Sequence, residues 1–176
     1  YGDPYLVTER LWLLQRELRS RGLRVIDGDL VLDNTWFARE ELDPGAFDGQ
    51  TYRAYNALPD ALLVNFQAVN FTFRPDPARG RVEILADPVL ANLEVQNNMR
   101  LFRGGSGSAK SGISMVVGNT PSRPRVTFSG ALASQCAEYQ LLRSILDGPA
   151  FAYGAFRGLW EEQGGQITGG MRQGQV

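Results

Sequence analysis

The chain reads as an α+β protein: two helix–strand units form an outer α/β layer with a β-rich subdomain nested between them. Three observations predict this. A leucine-rich amphipathic helix stands near the start, a second aromatic-rich one near the end, and Val/Ile/Phe/Thr runs separated by turn residues fill the middle. Each terminal helix leads through a glycine into a short apolar run that reaches another glycine. Leu11-Trp12 is followed by Gly22-Leu23-Arg24-Val25-Ile26-Asp27-Gly28, and Leu159-Trp160 by Gly164-Gly165-Gln166-Ile167-Thr168-Gly169. Laying both units in one layer makes residues 1–62 and 140–176 the outer domain and 63–139 the nested one.

In order along the chain, the spacing of Leu11, Leu14 and Leu18 predicts a helix over about 6–21, with Trp12 and Leu13 widening its apolar face. Thr8 is the expected N-cap, Arg16, Arg19 and Arg21 suit the negative end of the helix dipole, and Gly22 ends it. Asp27-Gly28 between apolar runs fits either a two-residue hairpin or one strand interrupted by glycine. Residues 34–59 are polar and turn-rich, with Asp43-Pro44-Gly45 and the aromatics Trp36, Phe37, Phe47, Tyr52 and Tyr55. Strands are expected over 62–73, 82–86, 90–96, 113–117 and 125–128, with a Gly/Ser-rich loop over 103–112. The segment 138–146 permits a helix but is short. A second helix is expected from Pro149, at its first position, to about Gln163, with Phe151, Ala155, Phe156, Leu159 and Trp160 inward and Gly164 beyond its end.

Composition bounds the chemistry. The 176 residues are 43% hydrophobic and 21% charged, with a net charge of -1, so no basic footprint for nucleic acid is present. No apolar run approaches the length of a membrane span. The chain has no histidine, one cysteine (Cys136) and one lysine (Lys110) against seventeen arginines. Histidine-based catalysis, a cysteine-rich metal site and an internal disulfide are therefore excluded, and no cofactor or metal is expected. Cys136 is expected to be a small core residue. The first residues, Tyr1-Gly2-Asp3-Pro4, show neither initiator Met nor export signal, and both ends read as cut.

Several motifs are decoys. Gly104-Gly105-Ser106-Gly107-Ser108-Ala109-Lys110-Ser111 is one residue from a phosphate-binding loop, but a strand pattern follows it where a helix is required. Lys110-Ser111-Gly112 matches a triplet of penicillin-interacting enzymes, whose active serine stands three residues before a lysine. Gly107 occupies that place, and no Ser-x-x-Lys, Ser-x-Asn or Gly-x-Ser-x-Gly occurs. The acids Asp27, Asp29 and Asp33, and the pair Glu40 and Glu41, fit turns and strand edges better than paired catalysis. The residues alone point to a chain with no catalytic site of its own.

The order Gly2-Asp3-Pro4-Tyr5-Leu6, Leu-rich helix, then Gly22-Leu23-Arg24-Val25-Ile26-Asp27-Gly28-Asp29-Leu30-Val31-Leu32-Asp33 resembles one penicillin-binding family. It is followed by Tyr55-Asn56-Ala57-Leu58-Pro59-Asp60-Ala61-Leu62-Leu63-Val64-Asn65 and by the Leu159–Gly169 signature, also in that family's order. The family is the D-alanyl-D-alanine carboxypeptidases/endopeptidases, class C low-molecular-mass penicillin-binding proteins. The resemblance implies an exported, periplasmic or envelope hydrolase acting on peptidoglycan stem peptides. Its serine peptidase domain is interrupted, between Ser-x-x-Lys and Ser-x-Asn, by an insert that this chain resembles. The peptidase domain of the same parent chain is then the expected partner, and the missing motifs follow. The resemblance also implies substrate-binding positions at Asp48 and Tyr55, an acid for a cationic amine and a ring for its methylenes, although Phe47-Asp48-Gly49 stands where a Trp and paired acids are common. A solvated turn and a core tyrosine remain the plain alternative for these two residues, and a stand-alone binding or scaffolding module remains the alternative function.

Overall fold

A computed structural model describes residues 3, 5–37, 42–103, 110–120 and 123–175. Helix α1 spans Thr8–Ser20 and helix α2 spans Gly148–Glu162. Their ends show how local sequence sets their limits. In α1, Gly22 sits at φ 96° and donates to Arg19 O, while Leu23 N reaches back to Leu18 O at 3.2 Å. In α2, Gly164 sits at φ 76° and donates to Glu161 O, while Gly165 N reaches Trp160 O at 2.8 Å. Both are the same six-to-one closure, which needs a left-handed residue that only glycine adopts without strain. The resemblance between the two ends of the chain is thus a shared geometry.

The starts of the helices differ. Asp147 caps α2, its carboxylate accepting from Ala150 N at 2.8 Å, and Pro149 lies within the first turn, one place after the first helical residue. Thr8 does not cap α1: it is the first helical residue, and the preceding Val7 has no side-chain acceptor. Thr8 N instead donates to Asn65 Oδ1 at 3.4 Å, a cap supplied from 57 positions away.

After each helix comes a short strand run. Strands β1 (Val25–Ile26) and β2 (Leu30–Leu32) follow α1, and β9 (Gln166–Ile167) and β10 (Met171–Gln173) follow α2. β1 pairs with β9 and β2 with β10, both in parallel. Asp27-Gly28 is therefore no hairpin; it interrupts one extended run. The crossing point is tight, because a Cβ on Gly169 would stand 2.2 Å from the Gly28 carbonyl. Helix α1 packs on α2 through Gln15, which is fully buried, donates to Phe156 O at 2.7 Å and accepts from Gln163 Nε2 at 2.9 Å.

The apolar face of α1 is narrower than its sequence predicts. Leu11 and Gln15 are its buried residues, whereas Trp12, Leu13 and Leu14 are 39%, 56% and 49% exposed. Helix α2 is the buried one: Phe151, Ala155, Leu159 and Trp160 are inside as expected, with Phe156 half-buried.

The chain divides into two compact units, Tyr1–Val69 with Pro88–Ala91 and Leu142–Val176, and Asn70–Asp87 with Asn92–Leu141. The second unit holds most of six strands: β3 (Val69–Asp76), β4 (Arg81–Asp87), β5 (Glu94–Phe102), β6 (Lys110–Asn119), β7 (Pro124–Ala133) and β8 (Tyr139–Arg143). They form two three-stranded sheets, ordered β4-β3-β8 and β5-β7-β6. β3 and β4 make an antiparallel hairpin, β5 runs parallel to β7, and β6 antiparallel to β7. Phe71 and Phe73 on β3 meet Phe128 on β7 at 4.8 and 5.1 Å between ring centroids, and all three are fully buried. Such tilted and edge-on ring pairs add to the burial of the rings themselves.

Several expectations shift here. The run 62–73 is strand only from Val69; before it, Asn65, Phe66 and Gln67 all take positive φ in a left-handed turn. The strand expected over 90–96 begins at Glu94, and 138–146 resolves as the strand β8 rather than a helix. Cys136 is half-buried rather than a core residue. The glycine loop 104–109 lies outside the described residues, as do Gly2, Pro4, Glu40 and Glu41 and the side chains at 110 and 111.

Replacing Gly169 by Ala forces a methyl into the Gly28 carbonyl. This substitution should cost about 2 kcal/mol of unfolding free energy or more, as overpacked sites do. Urea denaturation of wild type and Gly169→Ala checks it; equal midpoints would mean the two strand runs do not cross where described.

Candidate functional site

The described residues between Asn34 and Asp60 form no regular strand and little helix, so their shape is set by turns and side-chain hydrogen bonds. Asp43 Oδ1 accepts from Gly45 N at 2.8 Å, a local turn closed by the residue's own side chain. Asp48 repeats the device, accepting from Gln50 N at 2.9 Å. A single 3-10 turn at Ala54–Asn56 then points the chain back. Folding back places residues 53, 55 and 56 beside Asp48.

The result is a compact polar cluster in which the two residues singled out in the sequence do meet. Asp48 Oδ2 accepts from the Tyr55 hydroxyl and from Arg53 Nη1, the latter at 3.2 Å. Its Oδ1 accepts from Gln50 N and from Asn56 Nδ2 at 2.8 Å. Arg53 Nη1 also donates to the Tyr55 hydroxyl, and the guanidinium lies 5.5 Å from the centre of the Tyr55 ring. Tyr55 is 64% exposed, so it is a surface ring and not a core tyrosine; neighbouring Phe47 is 88% exposed. Arg53 and Asn56 were not singled out by sequence. Their signal was faint: a turn-forming Asp-Gly pair followed within eight residues by donors of the right reach.

The electrostatics follow the hydrogen bonds. The Tyr55 hydroxyl is the largest influence holding the Asp48 carboxyl below its ordinary value; burial opposes it next, and the Gln50 amide, Asn56 and the charge on Arg53 each add a smaller lowering effect. Arg53 is pushed higher still, first by its hydrogen bond to Tyr55.

The same unit contains a cleft of about 770 Å³ whose lining includes Thr51, Tyr52, Asn34, Asp60, Ser144 and Asp147. Its acids already have structural work. Asp60 accepts from Leu62 N at 2.8 Å and from buried Asn34 Nδ2 at 3.0 Å, and Asp147 caps α2. The early acids behave alike: Asp27 accepts from the Thr168 hydroxyl at 2.7 Å, Asp29 from Gly170 N at 2.8 Å, and Asp33 from Thr35. Among the described residues no group of His, Cys, Asp and Glu is arranged to hold a metal ion. None of their helices is long and apolar enough to cross a membrane.

Protonation of Asp48 is the cheapest test of the cluster. Because its folded pKa lies below the unfolded one, the carboxylate favours the folded loop above the ordinary carboxylate range. That benefit disappears as pH falls through the folded value. Followed by carboxyl-carbon NMR, Asp48 should titrate below the ordinary aspartate value, and Tyr55→Phe should move its midpoint upward. An unmoved midpoint would break the assignment of Tyr55 as its main partner.

Comparison with known proteins extends this picture over the whole chain. A model of the D-Ala-D-Ala carboxypeptidase 3 (S13) family matches residues 1–176. The D-alanyl-D-alanine carboxypeptidase of Actinomadura sp. (strain R39) is 27% identical over 99% of this chain and 33% of its own length. The D-alanyl-D-alanine carboxypeptidase DacB of Haemophilus influenzae is 28% identical over 86% of this chain and 31% of its own. The crystal structure of penicillin binding protein 4 (dacB) from H. influenzae superposes with a TM-score of 0.65 at 22% identity, covering 99% of this chain and 38% of that one. The same protein complexed with a novel β-lactam gives 0.54. The chain thus spans about a third of the length of the curated relatives it matches. Its glycine-closed helix–strand units and the match along every residue lead to one conclusion: the chain belongs to the D-Ala-D-Ala carboxypeptidase 3 (S13) family.

Proposed function

We propose that this chain is the non-catalytic insert of an exported serine-type D-Ala-D-Ala carboxypeptidase/endopeptidase, shaping the cleft in which peptidoglycan stem peptides bind. The observation that carries the reading is a family match over the entire chain in a sequence without Ser-x-x-Lys, Ser-x-Asn or histidine. The nucleophile then belongs to the peptidase domain of the parent chain. There a serine would attack the penultimate D-Ala carbonyl, with lysine as base. The terminal D-Ala or a cross-linked amine would leave, and water would release the acyl-enzyme. The 48–56 cluster, with Tyr55 and Phe47 exposed, is the substrate-facing rim in this reading.

A fluorescent penicillin applied to this chain and to its parent should label the parent alone, seen by denaturing gel and intact mass. No label on a parent that is otherwise folded would favour the alternative, a binding or scaffolding module without enzyme activity. Label on this chain would overturn the assignment of the nucleophile elsewhere.

The outward Trp12, Leu13 and Leu14 of α1 form an apolar surface that fits contact with the peptidase domain. Alone, the chain should self-associate through it, and Leu13→Glu with Leu14→Glu should restore a monomer in sedimentation velocity. A wild-type chain that stays monomeric at high concentration would remove this face from consideration.

A further inference from the structure

A carboxylate offers about four lone-pair positions, and Asp48 has filled all of them. Gln50 N and Asn56 Nδ2 occupy Oδ1, and the Tyr55 hydroxyl and Arg53 Nη1 occupy Oδ2. The Asp48 side chain is 18% exposed and that of Arg53 46%. Of the two charged side chains, it is therefore Arg53 rather than Asp48 that this rim turns to solvent.

A second arginine stands beside the first. Arg53 and Arg143 are partners in an isolated antiparallel bridge, which puts their side chains on one face with Cβ atoms about 5 Å apart. Arg143 Nη1 donates to Leu142 O at 2.8 Å. Like charges opposed across a bridge disfavour each other. Asp48 offsets one of the two charges, leaving this group of three net positive. Arg53 is also held for use. The Tyr55 ring lies against its guanidinium and Nη1 is fixed by two acceptors, while Nε and Nη2 make no hydrogen bond among the described residues. A planar fork held in this way matches a carboxylate in two-point contact.

We propose that Arg53, backed by Arg143, is the ligand-contacting group of this rim, that it selects a peptide side chain ending in a carboxylate, and that Asp48 serves as its internal counter-ion. The inference rests on the reading of the 48–56 cluster as a substrate-facing rim. An amine-ended side chain would have to displace Arg53 from Asp48 and then lie against its guanidinium.

The test uses the parent chain and two acetylated tripeptides, Ac-Glu-D-Ala-D-Ala and Ac-Lys-D-Ala-D-Ala, which differ only in the side chain that would meet the rim. The readout is the ratio of their kcat/KM values within each variant, so a general loss of folding cancels. Wild type should favour the glutamyl peptide by about tenfold, the scale of one charge-assisted hydrogen bond. Arg53→Gln should bring the ratio to one or below, Arg53→Lys should leave it between, Arg143→Gln should lower it, and Asp48→Asn should not lower it. A wild-type preference for the lysyl peptide that Asp48→Asn abolishes would overturn the inference while keeping the rim, with Asp48 as the contact. A ratio that none of Asp48→Asn, Arg53→Gln and Tyr55→Phe moves would remove both the rim and the inference. A parent that cleaves neither peptide fails the carboxypeptidase reading, and the inference falls with it.

Discussion

The parallel pairing of β1 with β9 and β2 with β10 is the constraint on which the first unit depends. It joins positions as far as 141 residues apart, yet each pair is only two or three residues long. Closing so long a loop costs chain entropy, and so few ladder bonds do not offset it alone. The helices supply the rest. Trp160 and Phe151 are fully buried, and Trp160 Nε1 reaches across to Gln166 O at 3.1 Å, tying helix to strand. The close approach of Gly28 and Gly169 lets the two runs lie together, while Asp27 and Asp29 bind the opposite run at Thr168 and Gly170. Acids that a sequence reader sees as possible catalysts are here the stitching of a seam.

Buried polar groups set the unit's geometry in a way apolar contacts do not. Gln15 bonds to both Phe156 and Gln163, Asn34 to Asp60, and Gln67 to Leu146. Each is satisfied, and each would leave an unpaired group in the interior if its partner moved. Three successive non-glycine residues, Asn65, Phe66 and Gln67, sit at positive φ, a conformation that costs energy unless its surroundings hold it. The holding contacts are visible. Asn65 bonds to Ala68 O and offers the missing cap to α1 at Thr8, and Gln67 is anchored at Leu146.

At the polar cluster the order of causes runs from turn to charge. Asp-Gly at 48–49 closes a local turn, the turn brings Arg53, Tyr55 and Asn56 within reach, and their donors then lower the carboxyl's pKa. The cluster shares the unit with a cleft whose acids are spent on the backbone and on Asn34.

What the sequence determined by itself was local or one-dimensional. It showed two amphipathic helices, the glycines that close them, strands where β-branched and aromatic residues cluster, and the family through landmarks kept in order. It also showed neither Ser-x-x-Lys, Ser-x-Asn nor histidine, which needs no coordinates. Pairing and facing were decided by tertiary structure. Period alone placed Leu14 and Trp12 inward on α1, but the buried stripe is only Leu11 and Gln15, the latter bonded to α2. The two readings of Asp27-Gly28, hairpin or interrupted strand, were separated only by pairing with a distant strand, and the cap of α1 came from Asn65. The family resemblance singled out Asp48 and Tyr55, but not the Arg53 beside them. A hydrogen bond between side chains depends on how a turn-rich loop folds back, and no periodic pattern records that.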